Sequence, residues 1–290
     1  MKKIILLMPV YNDWESLIKL LEEINSIIKN IKDYEFKCIV VNDCSLAKKP
    51  KIVKPKNFNS LKIINMKENK GHARCNAFGL RYINSNETYD YVIIMDSDGE
   101  DRPIEIQDLI NKITEEPEIS AVAKRVKRSE GFIFQTLYQI HKLITFIFTG
   151  KKVNFGNYSC LTKKDIKTLS DEASLWSSFS GSIKKNLTNL NEIDSIRGVR
   201  YFGPSKMSLF NLIIHSLSII AVFKYTVFLR STFMIIALSF LAKILGSITI
   251  ILQILIVIFN LLIFVVSMRE NQKALFKSND NILNENEITH

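Results

Sequence analysis

The sequence predicts an α/β fold with a mostly parallel sheet buried on both faces, followed by a helical appendage embedded in a membrane. Runs of strand length at 4–8, 38–41, 61–64 and 91–95 are apolar but for Lys62, as strands covered on both faces tend to be. Between them lie stretches of helical period, such as Leu17, Leu20, Leu21, Ile24, Ile27, Ile28 and Ile31. Strands alternating with amphipathic helices build βαβ units. Charge is then segregated: it dominates the first 206 residues, whereas from 231 to 268 only Lys243 is charged.

The first apolar run follows two lysines and superficially resembles a secretory signal. It spans only residues 4–10, and no small-residue cleavage site follows it, so it reads as a buried first strand. Ligands of such sheets sit beyond the carboxyl ends of the strands. The segments of interest are therefore Pro9-Val10-Tyr11-Asn12-Asp13, Asn42-Asp43-Cys44-Ser45 and Asp96-Ser97-Asp98. No GxGxxG follows a strand, which removes the main support for a dinucleotide site. Cys38, Cys44, Cys75 and Cys160 form no CxxC pair and have no His at metal-ligand spacing, so they read as reduced thiols.

With 39 Lys and Arg against 29 Asp and Glu, the formal charge is +10. Basic clusters at 48–56, 124–128, 151–152 and 184–185 are scattered and lack aromatic interleaving. They read as solvated surface and juxtamembrane charge, and no nucleic-acid partner is expected.

Past residue 206 the character changes. Ser208, Asn211, His215 and Ser218 form one polar stripe on an otherwise apolar helix, the pattern of a helix lying in the membrane interface. Residues 231–268 are too long for one span and suit two of roughly 20 residues each, with a break near 243–247. Lys224 and Arg230 precede this stretch, and Arg269, Lys273 and Lys277 follow it. Basic flanks on both sides place both termini in the cytoplasm. Gln253 and Asn260 share a face suited to packing against a partner helix. The resulting division is a catalytic domain over 1–206, an interfacial helix over 207–224, and transmembrane helices within 225–268, at about 227–245 and 248–267. A polar cytoplasmic tail without regular structure is expected over 269–290.

The strongest local chemical signal is Asp96-Ser97-Asp98 directly after the apolar strand at 91–95. Alternate carboxylates leaving a strand end can share one divalent cation. Mg²⁺ or Mn²⁺ held by one or two carboxylates takes its remaining ligands from substrate phosphates and water, and it stabilises charge on a departing diphosphate. Acidic pairs also cap helices and line turns; the position after a buried strand, with Asp43 ending an earlier one, favours metal.

Seven short stretches now stand in order. They are Pro9-Val10-Tyr11-Asn12-Asp13, Val41-Asn42-Asp43-Cys44-Ser45, and Asn69-Lys70-Gly71-His72 running to Ala77-Phe78-Gly79. Met95-Asp96-Ser97-Asp98-Gly99-Glu100-Asp101-Arg102-Pro103, Ala123-Lys124-Arg125, Phe155-Gly156-Asn157 and Arg200-Tyr201-Phe202-Gly203-Pro204-Ser205-Lys206 complete them. Together they resemble the family 2 glycosyltransferases of GT-A fold, in the dolichyl-phosphate mannosyltransferase-like and polyprenyl-phosphate glycosyltransferase branch. The resemblance runs from Ile4 to about Arg230, and the trailing membrane hairpin fits it.

The resemblance implies that Pro9, Tyr11, Asp43 and Ser97 contact the nucleotide sugar. It places Asp96 and Asp98 at the metal–diphosphate, with Glu100 where many relatives have an assisting Gln. Arg125, Arg200, Ser205 and Lys206 would face donor and acceptor phosphates, roles that guanidinium and ammonium groups suit. Asp96, Asp98, Arg200 and Lys206 are the expected catalytic set.

Two departures stand out. A turn that tolerates positive φ in relatives carries Cys44, and Gly156-Asn157-Tyr158 stands where relatives often show Gly-Asp-Phe. Asn157 cannot accept a proton as a base, so either another carboxylate such as Asp101 serves or the acceptor needs none. A lipid phosphate is already ionised near neutrality, whereas a sugar hydroxyl ordinarily needs a base.

The expected activity is inverting, metal-dependent transfer of a sugar from a nucleotide-diphosphate donor to a polyprenyl phosphate at the cytoplasmic leaflet of the inner membrane. The rivals are the same fold adding a sugar to a glycan or glycolipid hydroxyl, and an inactive relative serving as a membrane scaffold. Self-association through the transmembrane helices stays open.

Overall fold

The structure is a computed structural model describing residues 1–127, 132–204 and 208–289. Strand β1 (Lys2–Val10), helix α1 (Trp14–Ile28), strands β2 (Tyr34–Asn42) and β3 (Ser60–Met66), helix α2 (His72–Asn86) and strand β4 (Tyr91–Ile94) come first. Then follow α3 (Ile106–Glu115), β5 (Ala121–Lys127), α4 (Phe132–Thr149), β6 (Phe155–Thr162), α5 (Lys163–Leu169), α6 (Ala173–Ser177), α7 (Phe179–Asn186) and β7 (Asn191–Ile196). The apolar helices α8 (Leu209–Ala221), α9 (Lys224–Phe240), α10 (Ala242–Leu245) and α11 (Ser247–Ser267) precede α12 (Gln272–Phe276) and β8 (Ile282–Glu287).

These strands form one sheet in the order β7-β5-β6-β4-β1-β2-β3-β8. The pairs β1–β2, β1–β4, β2–β3 and β5–β7 are parallel; β6 runs antiparallel to β4 and β5, and β8 antiparallel to β3. The mostly parallel α/β reading therefore holds.

The period of two in β1 explains why the run is apolar throughout. Ile4, Leu6 and Met8 pack with Leu17, Leu20, Leu21 and Ile24 of α1 and with Leu109 and Ile113 of α3. Ile5 and Leu7 face the other way, onto Phe78, Leu80 and Ile83 of α2. Each such fully buried side chain contributes roughly 1.5–3 kcal/mol relative to exposure. Register aligns Met8 with Val40 and Leu7 with Ile94, so the segments after β1, β2 and β4 emerge at one edge.

Four strands, β5, β6, β7 and β8, escape the sequence pattern. β6 reads FGNYSCLT, with a Gly and an Asn depressing its strand propensity, yet it is held between two neighbours.

The tail departs from expectation. Instead of lacking structure, it forms α12 and then β8, which covers the edge of β3. An open sheet edge with unpaired amides favours such an addition, and the Asn-rich composition masked it.

The apolar segment also differs in detail. The break falls at Gly246, between α10 and α11, as expected. Among the described residues α11 is long and apolar enough to cross a membrane, whereas α8 and α9 reach that measure only as a pair bent by 84°. Gln253 Nε2 donates to Ile235 O at 3.1 Å and to Ser239 Oγ at 2.9 Å, fastening α11 to α9. Lys224 pairs with Glu270 at 2.8 Å, bringing the start of α9 beside the end of α11. A further helix joins them: Phe148 of α4 meets Phe259 of α11 with ring centroids 4.2 Å apart, and Arg230 Nε of α9 donates to Ile147 O.

Candidate active site

The edge beyond β1, β2 and β4 is built by interlocking turns. Asn12 takes a left-handed φ of 53°; its Oδ1 accepts from the amides of Leu46 and Ala47, and its own amide donates to Ser45 Oγ. Pro9 is buried and Tyr11 beside it is exposed. Ser97, expected at the nucleotide sugar, turns its hydroxyl inward. Its hydroxyl donates to Pro9 O at 2.7 Å from a buried position, so it braces two strand ends against each other rather than facing the edge.

Asp43 is also buried. Its Oδ1 accepts from the Lys70 amide at 2.8 Å and its Oδ2 from the Gly71 amide at 2.9 Å, which anchors the start of α2. Lone pairs remain on both oxygens for a ligand. Cys44 carries a positive φ of 58° without being glycine, at a backbone cost of roughly 1–2 kcal/mol.

The turn after β4 is pinned from within. Asp101 is buried and its Oδ2 accepts from the Asp96 amide at 2.9 Å. Burial, then the charge of Asp96, pushes its pKa up to about 7. It is a brace inside the turn, which removes it as a base facing a substrate. Gly99 has φ of 89°, and a Cβ there would stand 2.5 Å from the Tyr201 ring. The segment bearing Tyr201 is laced to the turn by Gly198 N to Glu100 O and Tyr201 N to Asp98 O, at 2.8 and 3.0 Å.

Around this turn Asp96, Asp98 and Glu100 each meet a cation. Asp96 Oδ1 lies 3.0 Å from His72 Nε2 and accepts from Asn157 Nδ2 at 3.1 Å. Asp98 Oδ2 accepts from Arg200 Nη1 at 2.8 Å, and the same guanidinium pairs with Asp13. Glu100 pairs with Arg197.

Burial works against charge on Asp96, but the charge and hydrogen bond of His72, with Arg197 and Arg125, hold its pKa well below the usual carboxylate range. Burial and then the charge of Asp96 raise Asp98. Burial opposes protonation of His72, yet Asp96, Asp98 and Asp101 together raise its pKa. Arg125 crosses the face of β6 above Gly156, where a Cβ would lie 2.4 Å from its Nη2. The glycine is what lets the guanidinium lie there.

Asp96, Asp98 and Arg200 therefore come together, with Arg125 close enough to act on Asp96 electrostatically. Glu100 stands in the same turn, with its carboxylate paired to Arg197. Ser205 and Lys206 lie outside the described residues. Among the described residues no three His, Cys, Asp or Glu side chains converge on one metal position. The donor set still fits a hard divalent ion completed by substrate oxygens: adjacent carboxylates with Asp98 starved of solvation, a place for positive charge. Sequence reasoning missed His72, Asp13 and Arg197. His72 opens the helix after β3 and Asp13 lies three residues beyond β1, signals that were available.

The profile of glycosyl transferase family 2 matches residues 5–173. The chain is 27% identical over 221 residues to an undecaprenyl-phosphate 4-deoxy-4-formamido-L-arabinose transferase of Photorhabdus laumondii, covering 73% of this chain and 65% of that protein. It thus spans just under two thirds of that relative. Among solved structures it resembles glucosyl-3-phosphoglycerate synthase of Mycobacterium tuberculosis. In complex with Mn²⁺, UDP and glucosyl-3-phosphoglycerate that protein gives a TM-score of 0.51 at 12% identity, over 78% of this chain and 80% of the other. In a complex with Mn²⁺, UDP-glucose and phosphoglyceric acid the score is 0.52 at 13% identity, over 78% and 79%. Likeness at that identity speaks for the fold. The profile match covers more than half of the chain and includes the strand ends and the acidic turn, so the chain belongs to glycosyl transferase family 2.

Proposed function

We propose that this chain transfers a sugar from a nucleotide diphosphate to a polyprenyl phosphate at a membrane surface, with inversion at the anomeric carbon. The observation that carries the reading is the acidic turn at 96–98 set among Arg200, Arg125 and His72, with apolar helices attached to the same domain. The similar transferase of Photorhabdus laumondii is named for undecaprenyl phosphate, which supports the acceptor class.

Asp98, with Asp96, would hold a Mg²⁺ or Mn²⁺ ion, which when bound neutralises charge developing on the departing diphosphate. The chain's own residues do the rest. Pro9, Tyr11 and Asp43 line the edge where a nucleotide would lie. Arg125 and Arg200 offer planar donors to phosphate oxygens, and Ser205 and Lys206 would extend that set.

Asn157 supports the acceptor assignment. It gives a neutral donor to Asp96 where a base would need a carboxylate. A phosphate monoester has its second pKa near 6, so it arrives mostly dianionic. Its oxygen forms the new bond to the anomeric carbon as the bond to the diphosphate breaks, and no proton has to be removed.

The membrane arrangement supports an even number of crossings. β8 is hydrogen-bonded into the catalytic sheet, so the chain after α11 lies on the side of the catalytic domain. If α11 crosses, α9 and α10 make the other passage, as the two-helix hairpin requires. α8 and the exposed apolar residues Leu137, Ile140, Leu143 and Ile147 of α4 suit the interface. Basic flanks place the domain in the cytoplasm.

The test is incubation of the full chain in detergent with undecaprenyl phosphate and a panel of nucleotide sugars. Transfer from at least one donor, abolished by EDTA, is expected. Lipid-linked sugar formed equally well in EDTA would remove the metal from the reading.

A further inference from the structure

Arg200 is expected to serve substrate phosphates, yet each of its three side-chain nitrogens is already engaged. Nη1 donates to Asp98 Oδ2 at 2.8 Å, Nη2 pairs with Asp13, and Nε donates to Phe202 O at 3.2 Å. The three charged side chains are only 15, 16 and 12% exposed for Arg200, Asp98 and Asp13. A guanidinium so committed cannot also grip a phosphate bidentately.

Its neighbours are matched in the same way. His72 sits on Asp96 and Arg197 on Glu100, so the cation bridging Asp98 to a second carboxylate is Arg200. A divalent ion that ligates Asp98 competes with Arg200 for the same carboxylate, and at that distance it repels the guanidinium.

We propose that Arg200 has two positions: without an ion it fills the cation place between Asp13 and Asp98, and ion binding releases it toward substrate phosphate. This rests on the reading of Asp98 as an ion ligand given above. The backbone suits a side-chain exchange, because Tyr201 N to Asp98 O and Gly198 N to Glu100 O hold the segment in place while the long arginine side chain swings. Asp13 is then a parking site, a positioning residue that keeps the guanidinium near the turn. Arg200 links ion arrival to phosphate capture, so the phosphate grip forms only once the leaving group's counter-ion is present.

The experiment measures Mn²⁺ binding alone, by loss of the free-ion electron paramagnetic resonance signal, on the full chain in detergent. Arg200→Gln removes the internal competitor and is expected to tighten Mn²⁺ binding by about tenfold while lowering the rate of sugar transfer. The double variant Asp13→Asn/Arg200→Gln keeps the net charge of the parent. It is expected to bind Mn²⁺ tighter than the parent too, which separates competition at Asp98 from the general field. It also stands in if Arg200→Gln does not fold. Arg200→Lys keeps the charge and should stay near the parent value.

A fixed structural ion pair predicts the opposite sign, since its loss loosens the turn and weakens both ion binding and transfer. Unchanged or weaker Mn²⁺ binding in the double variant overturns the proposal, as does a parent chain that binds no Mn²⁺ at millimolar concentration. Tighter binding in a chain that transfers no sugar to any lipid would retire the transferase reading and leave the exchange standing.

Discussion

The two halves of the site are made differently. The half proposed to take the donor consists of turns leaving β1, β2 and β4, three adjacent parallel strands, and each residue stands within a few positions of an apolar run. The half proposed to take the acceptor draws Arg125 from β5, Asn157 from β6 and Arg200 from the segment after β7, strands that pair antiparallel or across long intervals. A parallel sheet delivers chemistry to one edge by its topology alone. The acceptor half depends on side chains that reach across, as Arg125 does over Gly156.

If that contrast is right, lesions in the two halves fail differently. The largest effect is expected from Asp98→Asn in the donor half. Loss of the ion bridge removes several kcal/mol of transition-state stabilisation, on the order of a 10³-fold fall in kcat with the fold retained. Steady-state kinetics with and without Mn²⁺ check this; a variant as active as the parent would end the metal assignment.

Next comes the acceptor half. Arg125→Ala, or Gly156→Val which pushes the same guanidinium aside, should raise the acceptor KM by about tenfold or more while the donor KM stays put. Equal rises for both substrates would erase the distinction between the halves.

The donor half was legible because its signals are local. Asp96 and Asp98 announce themselves by following residues 91–95, and Asp43 by following β2. Even there, sequence alone does not show that the Ser97 hydroxyl turns inward to Pro9 O. Asp101 and Glu100 are acidic residues in the same turn, and only the structure shows that they meet the Asp96 N–H and Arg197. His72 and Asp13 matter through contacts made 24 and 85 residues away in sequence terms, Asp96 for one and Asp98 for the other by way of Arg200, and no periodicity encodes such meetings. The tail was misread for a related reason: β8 draws its order from the edge of β3 and not from its own composition.

Smaller effects sharpen the contrast. Asn157→Asp would set a second carboxylate at the 3.1 Å contact with Asp96. Like charges at that range oppose ionisation, so activity on a phosphate acceptor should stay level or fall a few-fold. A large gain would show that a base had been missing. Smallest of all, Cys44→Gly should relieve the left-handed φ of 58° and stabilise the domain by up to about 1 kcal/mol, since glycine's extra freedom when unfolded offsets part of the relief. Thermal unfolding would detect this, and a loss of stability would mean that the Cys44 Sγ contact with Lys67 O outweighs the strain.

The central claim is that the nucleophile is an ionised lipid phosphate. The most direct measurement gives the full chain undecaprenyl phosphate and undecaprenol side by side, with one active nucleotide sugar, and identifies products by mass. The account predicts a sugar phosphodiester from the phosphate, no product from the alcohol, and a phosphate reaction that depends on Arg125 and Arg200. Efficient glycosylation of the alcohol, or of a glycolipid hydroxyl, indifferent to both arginines, would contradict it.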